Sequence, residues 1–186
     1  IIQAIVEEAV WSGIEEIALI VQAGEEAVFS DFFSRPVDAE HFNRLPERAK
    51  AECRHLRELG ERLTFIPQEE AAGFGHAVYC AREWVGDEPF LLMLGDHLYV
   101  SDTDVRCARQ LLQAFEDNGK RSVVGVYQAP AREVSHYGTV AGQWLDNGGR
   151  RLQLSELTEK PSVDYARTNL VTPGLPDNTF LCIYGQ

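Results

Sequence analysis

An apolar run, FLLML at 90–94, stops abruptly at Gly95, Asp96 and His97. A buried run that ends in a carboxylate suits a strand delivering Asp96 to its carboxyl end, where open parallel sheets bind ligands. Gly95 leaves room for a ligand to approach the backbone. A carboxylate in that place can hold a hard cation such as Mg²⁺ beside a phosphate. Three other segments carry chemistry-bearing residues. In PQEEAAGFGHAVYCA at 67–81, Gln68 precedes two glycines, Gly73 and Gly75, that open a helix. Free N–H groups at a helix start, with no side chains in the way, suit a planar base or an anion. His76 follows and is expected to orient the loop by hydrogen bonding. VSHYGTV at 134–140 brings a tyrosine and Gly138 to a strand entry. LTEKPSVD at 157–164 sets Glu159 and Lys160 side by side before Pro161. Strand neighbours face opposite sides, so one of the pair could reach a sugar hydroxyl and the other a phosphate.

The elements that must position these residues alternate. Helix-like stripes or charged helical runs are expected over IIQAIVEEAVWSG, GEEAVFSDFFS, LPERAKAECRHLRELG, HAVYCAREWVG and TDVRCARQLLQAFEDNG. Strands are expected at EEIALIVQ, RLTFIPQ, EPFLLMLGD, RSVVGVYQAP and TFLCIYGQ. Strands alternating with helices imply β-α-β units. The runs IALIV, FLLML and SVVGV are apolar on both faces, as a covered parallel sheet requires. After Pro130 shorter polar strands appear, with a DNGG hairpin turn at 146–149. The fold class is therefore α/β, a Rossmann-like, mostly parallel sheet flanked by helices, with a small antiparallel extension.

Bulk composition narrows the function. The 186 residues are 45% hydrophobic and 25% charged, the balance of a globular protein with a real core. The formal charge of −12 argues against a nucleic-acid surface, which needs clustered Lys and Arg. No run approaches a membrane span, and the first residues, which carry acids and no basic flank, are not expected to be a signal peptide. Cys53, Cys80, Cys107 and Cys182 form no C-x-x-C pair and read as free thiols in a reducing cytoplasm. His41, His55 and His136 read as surface residues; Trp11, Trp84 and Trp144 read as core or interface.

In this order and spacing, GFGHAV, VGDEPF, LGD, YG and EKP together resemble the sugar-1-phosphate nucleotidyltransferases, most closely those acting on UTP and glucose 1-phosphate. The likeness spans nearly the whole chain. It implies Mg²⁺-dependent transfer of a uridylyl group from UTP to glucose 1-phosphate, giving UDP-glucose and pyrophosphate. By this resemblance Gln68 reads the uracil edge and Gly73 packs its backbone on the base. Asp96 binds Mg²⁺, Gly138 and Glu159 hydrogen-bond the glucose ring, Lys160 holds the sugar phosphate and Ile183 lines the sugar pocket. Asp96 and Lys160 are the residues expected to carry catalysis. The implied partners are these nucleotides and sugars and, in assembly, a homo-oligomer.

Alternatives stand beside this reading: transfer from dTTP, CTP or GTP, or a regulatory domain that binds nucleotide sugars without catalysis. The family's G-x-G-T-R loop and its second metal-binding aspartate are absent from the sequence. Residues 1–186 are accordingly expected to form a single nucleotidyltransferase domain fragment, inactive by itself. The stretch 163–178 is a longer Pro-rich connection than the family's usual link, and His97 stands where many relatives carry another acid or a small apolar residue.

Overall fold

The computed structural model describes residues 1–146 and 148–183, and the chain divides into two compact units. The first comprises Ile1–Leu91 and Leu98–Ala108, the second Leu92–His97 and Arg109–Gln186.

In the first unit, helix α1 (Ile2–Trp11) buries Ile5, Val6 and Ala9, the stripe that its helical spacing sets on one face. Strand β1 (Ile17–Gln22) follows, then helices α2 (Glu26–Ser34), α3 (Ala39–Arg44) and α4 (Glu47–Gly60). Asp38 caps α3 by accepting from the backbone of Glu40 and His41. Strand β2 (Leu63–Gln68) runs parallel to β1, with Ile17 beside Leu63 and Gln22 beside Gln68. Ile17, Leu19, Leu63 and Phe65 alternate along the two strands and pack on a core of Val6, Phe33 and Leu59. Short helices α5 (Phe74–Cys80) and α6 (Arg82–Val85) complete the βα turn, and α5 packs against both strands.

Helix α7 (Cys107–Asp117) starts on Glu8 of α1. The Glu8 side chain is buried. Its Oε1 accepts from Ala108 N–H at 3.0 Å, and its Oε2 pairs with Arg106 at 3.0 Å. Two orphan charges, a carboxylate and a helix N-terminus, thereby satisfy each other. The Arg106 guanidinium also lies 4.3 Å from the centre of the Trp11 ring, which stays half exposed.

The second unit is antiparallel. Strand β3 (Val126–Pro130) leads through a 3₁₀ turn (Ala131–His136) to β4 (Thr139–Trp144) and β5 (Leu152–Thr158). Helix α8 (Val163–Asn169) and β6 (Thr179–Ile183) follow, and the sheet order is β3-β6-β4-β5. Ala129, Val134, Ala141, Ala166, Leu170, Phe180 and Cys182 form its core. The 163–178 connection therefore contains a helix of its own, capped by the Ser162 hydroxyl. Tyr165 on that helix donates to Glu156 Oε1 at 2.6 Å. The bond holds the Tyr165 phenol above its ordinary pKa, because ionising it would remove the donor and set two negative charges together.

The mixed α/β class holds, with parallel pairing in the first unit and antiparallel pairing in the second. Several expected elements differ. The run 90–94 and residues 122–125 lie in no strand. A strand exists through its ladder, and among the described residues neither run has a strand partner. Apolar patterning marks such a run as fit for a sheet interior; it does not supply the neighbour. The helix expected at 76–86 is two short helices that meet at Ala81. Strands β4 and β5 pair antiparallel, and the hairpin turn expected at 146–149 includes residue 147, which lies outside the described residues. The end of the expected last strand, 184–186, also lies outside them.

Candidate functional site

The first unit builds one corner at the carboxyl end of β2. Gln68 is the last residue of that strand, and the chain then loops to Gly73, the N-cap of α5. Gly73 has φ +92 and ψ −178, a conformation that only glycine adopts without strain. It turns its carbonyl to accept from Ala77 N–H at 3.1 Å and from the Gln68 amide at 3.1 Å. The same amide nitrogen of Gln68 lies 3.0 Å from Nδ1 of His76. A Cβ on Gly73 would meet nothing within 4 Å, so the loop leaves open space above its backbone. Gln68 and Gly73 are thus brought together, and His76 joins them from the first turn of α5.

The second unit builds another corner where β4 begins and β5 ends. Ile183 N–H donates to Gly138 O at 2.7 Å, and Lys160 N–H donates to Tyr137 O at 3.2 Å. These bonds draw three distant stretches to one point. A Cβ on Gly138 would stand 3.1 Å from Glu159 Oε2 and 3.7 Å from the Ile183 side chain. Glu159 and Lys160 lie just past the end of β5 rather than within it. Lys160 has φ +46, a left-handed conformation that costs a non-glycine residue about 1–3 kcal/mol. The opposite-face argument for this pair therefore fails: a turn, not the strand pleat, separates the two side chains. Their charged groups are 3.5 Å apart, with both side chains more than half exposed. An exposed pair of this kind contributes little to stability, which leaves both groups available to a ligand.

Asp96 falls in the second unit's Leu92–His97 segment. A turn presents it, with His97 N–H donating to Leu94 O at 3.4 Å, in place of the expected strand end. Its side chain is 82% exposed, and Oδ1 lies 3.1 Å from His97 Nδ1. No group of three or more His, Cys, Asp or Glu residues able to hold a metal occurs among the described residues. A single exposed carboxylate still fits Mg²⁺, which is usually held by one or two carboxylates together with substrate phosphates and water.

Of the residues singled out in the sequence, the structure brings Gln68 to Gly73, and Gly138 to Glu159 and Ile183. Sequence reasoning missed the part of the Tyr137 backbone, whose carbonyl receives both Lys160 N–H and the Thr139 hydroxyl, the latter at 3.3 Å. The YG pair was the only signal for it. His55 is more engaged than a surface residue: it bonds Glu7 at 2.8 Å and stacks on Trp11.

A parallel β-strand pair with a glycine-turned helix start in one unit, and an antiparallel sheet in the other, define a mixed α/β class. The nucleotidyl transferase family matches residues 1–175, and the chain belongs to that family. It is 35% identical to UTP–glucose-1-phosphate uridylyltransferase 2 of Staphylococcus saprophyticus over 93% of its length and 58% of the relative's. It is 36% identical to UTP–glucose-1-phosphate uridylyltransferase of Bacillus subtilis, again over 93% of this chain and 58% of the relative. The chain thus spans somewhat over half the length of these curated relatives. Among solved structures, an apo UDP-glucose pyrophosphorylase superposes with TM-score 0.78 at 25% identity, over 99% of this chain and 62% of that one. A UDP-glucose pyrophosphorylase complexed with UDP-glucose superposes with TM-score 0.75 at 24% identity, over 99% and 61%.

Proposed function

We propose that the protein carrying this chain transfers a uridylyl group from UTP to glucose 1-phosphate, releasing pyrophosphate and forming UDP-glucose. The observation that carries the reading is the convergence of Gly138, Glu159 and Ile183, far apart in sequence, with Lys160 adjoining. A carboxylate beside bare backbone suits sugar hydroxyls, and an exposed ammonium suits the phosphate they carry. The relatives named for this reaction add independent support.

In the reaction a phosphate oxygen of glucose 1-phosphate attacks the α-phosphorus of UTP. The bond from that phosphorus to the bridging oxygen breaks, and pyrophosphate leaves with the electron pair. No proton transfer is required, so positioning and charge neutralisation dominate. Gln68 and Gly73 hold the base, Lys160 fixes the attacking phosphate as a point charge, and Glu159 and Gly138 orient the sugar against Ile183. Asp96 would hold Mg²⁺, which when bound offsets negative charge on the phosphates.

The reading treats the chain as one nucleotidyltransferase domain. It places the protein in a reducing cytoplasm, in keeping with four free cysteines. It also assigns a homo-oligomer, in keeping with exposed apolar side chains such as Val28 and Phe32. Among the described residues no helix is long and apolar enough to cross a membrane. The test is a panel of nucleoside triphosphates against sugar 1-phosphates on the whole protein. UTP with glucose 1-phosphate should give the highest kcat/KM; a preference for another pair would replace the substrates named here, and no turnover with any pair would favour a binding domain.

A further inference from the structure

We infer that His76 sets the base specificity of the site by fixing which end of the Gln68 amide faces the nucleotide; the inference rests on the uridylyl-transfer reading. The argument begins at Gly73. A carbonyl oxygen can only accept, so the Gln68 atom 3.1 Å from Gly73 O is the NH₂ group. That nitrogen is also 3.0 Å from His76 Nδ1, which must therefore accept, and the imidazole carries its proton on Nε2. Both amide hydrogens of Gln68 are consumed within the protein. Among the described residues nothing donates to its Oε1. Gln68 is thereby held as a pure acceptor towards a base.

The Watson–Crick edge of uracil offers N3–H between two carbonyls, so an acceptor matches it. Cytosine offers a lone pair at N3, and two acceptors would face each other without a proton between them. A free glutamine would not discriminate, because a half-turn of its amide presents the NH₂ instead. Gly73 O opposes that turn, but a carbonyl on the adjacent loop acts on one hydrogen only. His76 Nδ1 engages the second, and with both engaged the turned amide would set its oxygen against Gly73 O and would also force the His76 proton from Nε2 to Nδ1. His76 is a positioning residue: it acts through Gln68 and needs no contact with the nucleotide.

The experiment compares kcat/KM for UTP and CTP in the whole protein with His76 replaced by Leu, Gln or Asn. Asn can set its Oδ1 where Nδ1 stands, whereas Gln stays polar but reaches past that place, and Leu offers no acceptor. The UTP-over-CTP ratio should fall about tenfold in His76→Leu and His76→Gln, the effect of one hydrogen bond. It should stay within about threefold of the parent in His76→Asn. KM for glucose 1-phosphate should hold in all three. An unchanged ratio in Leu and Gln, or an equal loss in all three, would overturn the inference. If His76→Leu does not fold, the Gln and Asn pair decides alone. If the parent protein does not turn over UTP, the uridylyl-transfer reading fails instead. Calorimetric binding of UDP-glucose against CDP-glucose to the same variants then tests His76 separately, with the same pattern required.

Discussion

The Gln68 corner and the Glu159 corner handle polar groups in opposite ways. At the first, a half-buried amide has both its hydrogens tied to Gly73 and His76, and only its oxygen remains to offer. At the second, Glu159 and Lys160 keep only a loose 3.5 Å contact, with side chains 69% and 61% exposed. The difference follows from what each corner would read. A base edge is a pattern of donors and acceptors, and a residue free to turn over reads nothing. A phosphate accepts hydrogen bonds from any direction, and a long ammonium stem can adapt to it. What is fixed at the second corner is the backbone: Lys160 holds a left-handed conformation, and its N–H is tied to Tyr137 O.

The largest expected effect is on the charged side. Asp96→Asn in the whole protein keeps the shape and removes the charge. Turnover should fall at least about a hundredfold, equivalent to ~3 kcal/mol of lost electrostatic stabilisation. Because the side chain is exposed and its ion pair is with the adjacent His97, the melting temperature should hardly move. Near-normal turnover with unchanged Mg²⁺ dependence would remove Asp96 from the metal-binding role.

Lys160→Ala comes next and asks whether the second corner serves the sugar phosphate alone. KM for glucose 1-phosphate should rise by about 10- to 100-fold, the range for losing one charge-assisted contact. KM for UTP should stay within about twofold. Equal rises in both constants would mean that Lys160 supports the fold or the nucleotide, and the division of labour would collapse.

How much of this was legible in the sequence depends on where each signal lives. Helices with an apolar stripe, such as α1 with Ile5, Val6 and Ala9, were readable because 3.6-residue spacing is local information. The strands β1 and β2 were readable for the same reason, and Gln68 followed as the last residue of one of them. The run at 90–94 looked just as strand-like, yet pairing is a property of two segments and its own residues report only one. Lys160 shows the same limit in miniature. Nothing in EKP announces a φ of +46, which is imposed where the chain leaves β5 ahead of buried Pro161. The hydrogen-bond polarity of Gln68 was equally hidden, because it depends on a carbonyl five residues away and an imidazole eight residues away.

Gly73→Ala tests the first corner in the reverse sense. The space above Gly73 is open, so a methyl group meets no atom, but φ +92 with ψ −178 excludes an L side chain. The backbone should shift and carry the carbonyl away from the Gln68 amide. A strain of about 1–3 kcal/mol corresponds to about a 5- to 150-fold loss of nucleotide affinity, with glucose 1-phosphate KM unchanged. Gly73→Val should be worse, since its branched side chain also fills the open space. Full nucleotide affinity in both variants, measured by calorimetry, would return this loop to the status of an ordinary turn.

The smallest effect is expected from the same substitution at the second corner, and the reason inverts. Gly138 has no left-handed φ to protect, but its new Cβ would stand 3.1 Å from Glu159 Oε2, tighter than an ordinary van der Waals contact. The neighbour is the far end of an exposed, flexible side chain, which can yield by a few tenths of an ångström. Gly138→Ala should therefore leave the melting temperature nearly unchanged and raise KM for glucose 1-phosphate only about threefold, less than one ordinary hydrogen bond. KM for UTP should not respond. Adding Glu159→Gln should then cost less in Gly138→Ala than in the parent, because the carboxylate has already been displaced from its place beside the sugar. Strictly additive losses in that double-mutant cycle would mean that Gly138 and Glu159 act on the sugar independently. A fall of several degrees in melting temperature for Gly138→Ala alone would mean that the corner is as rigid as its counterpart at Gln68, and the contrast between them would be lost.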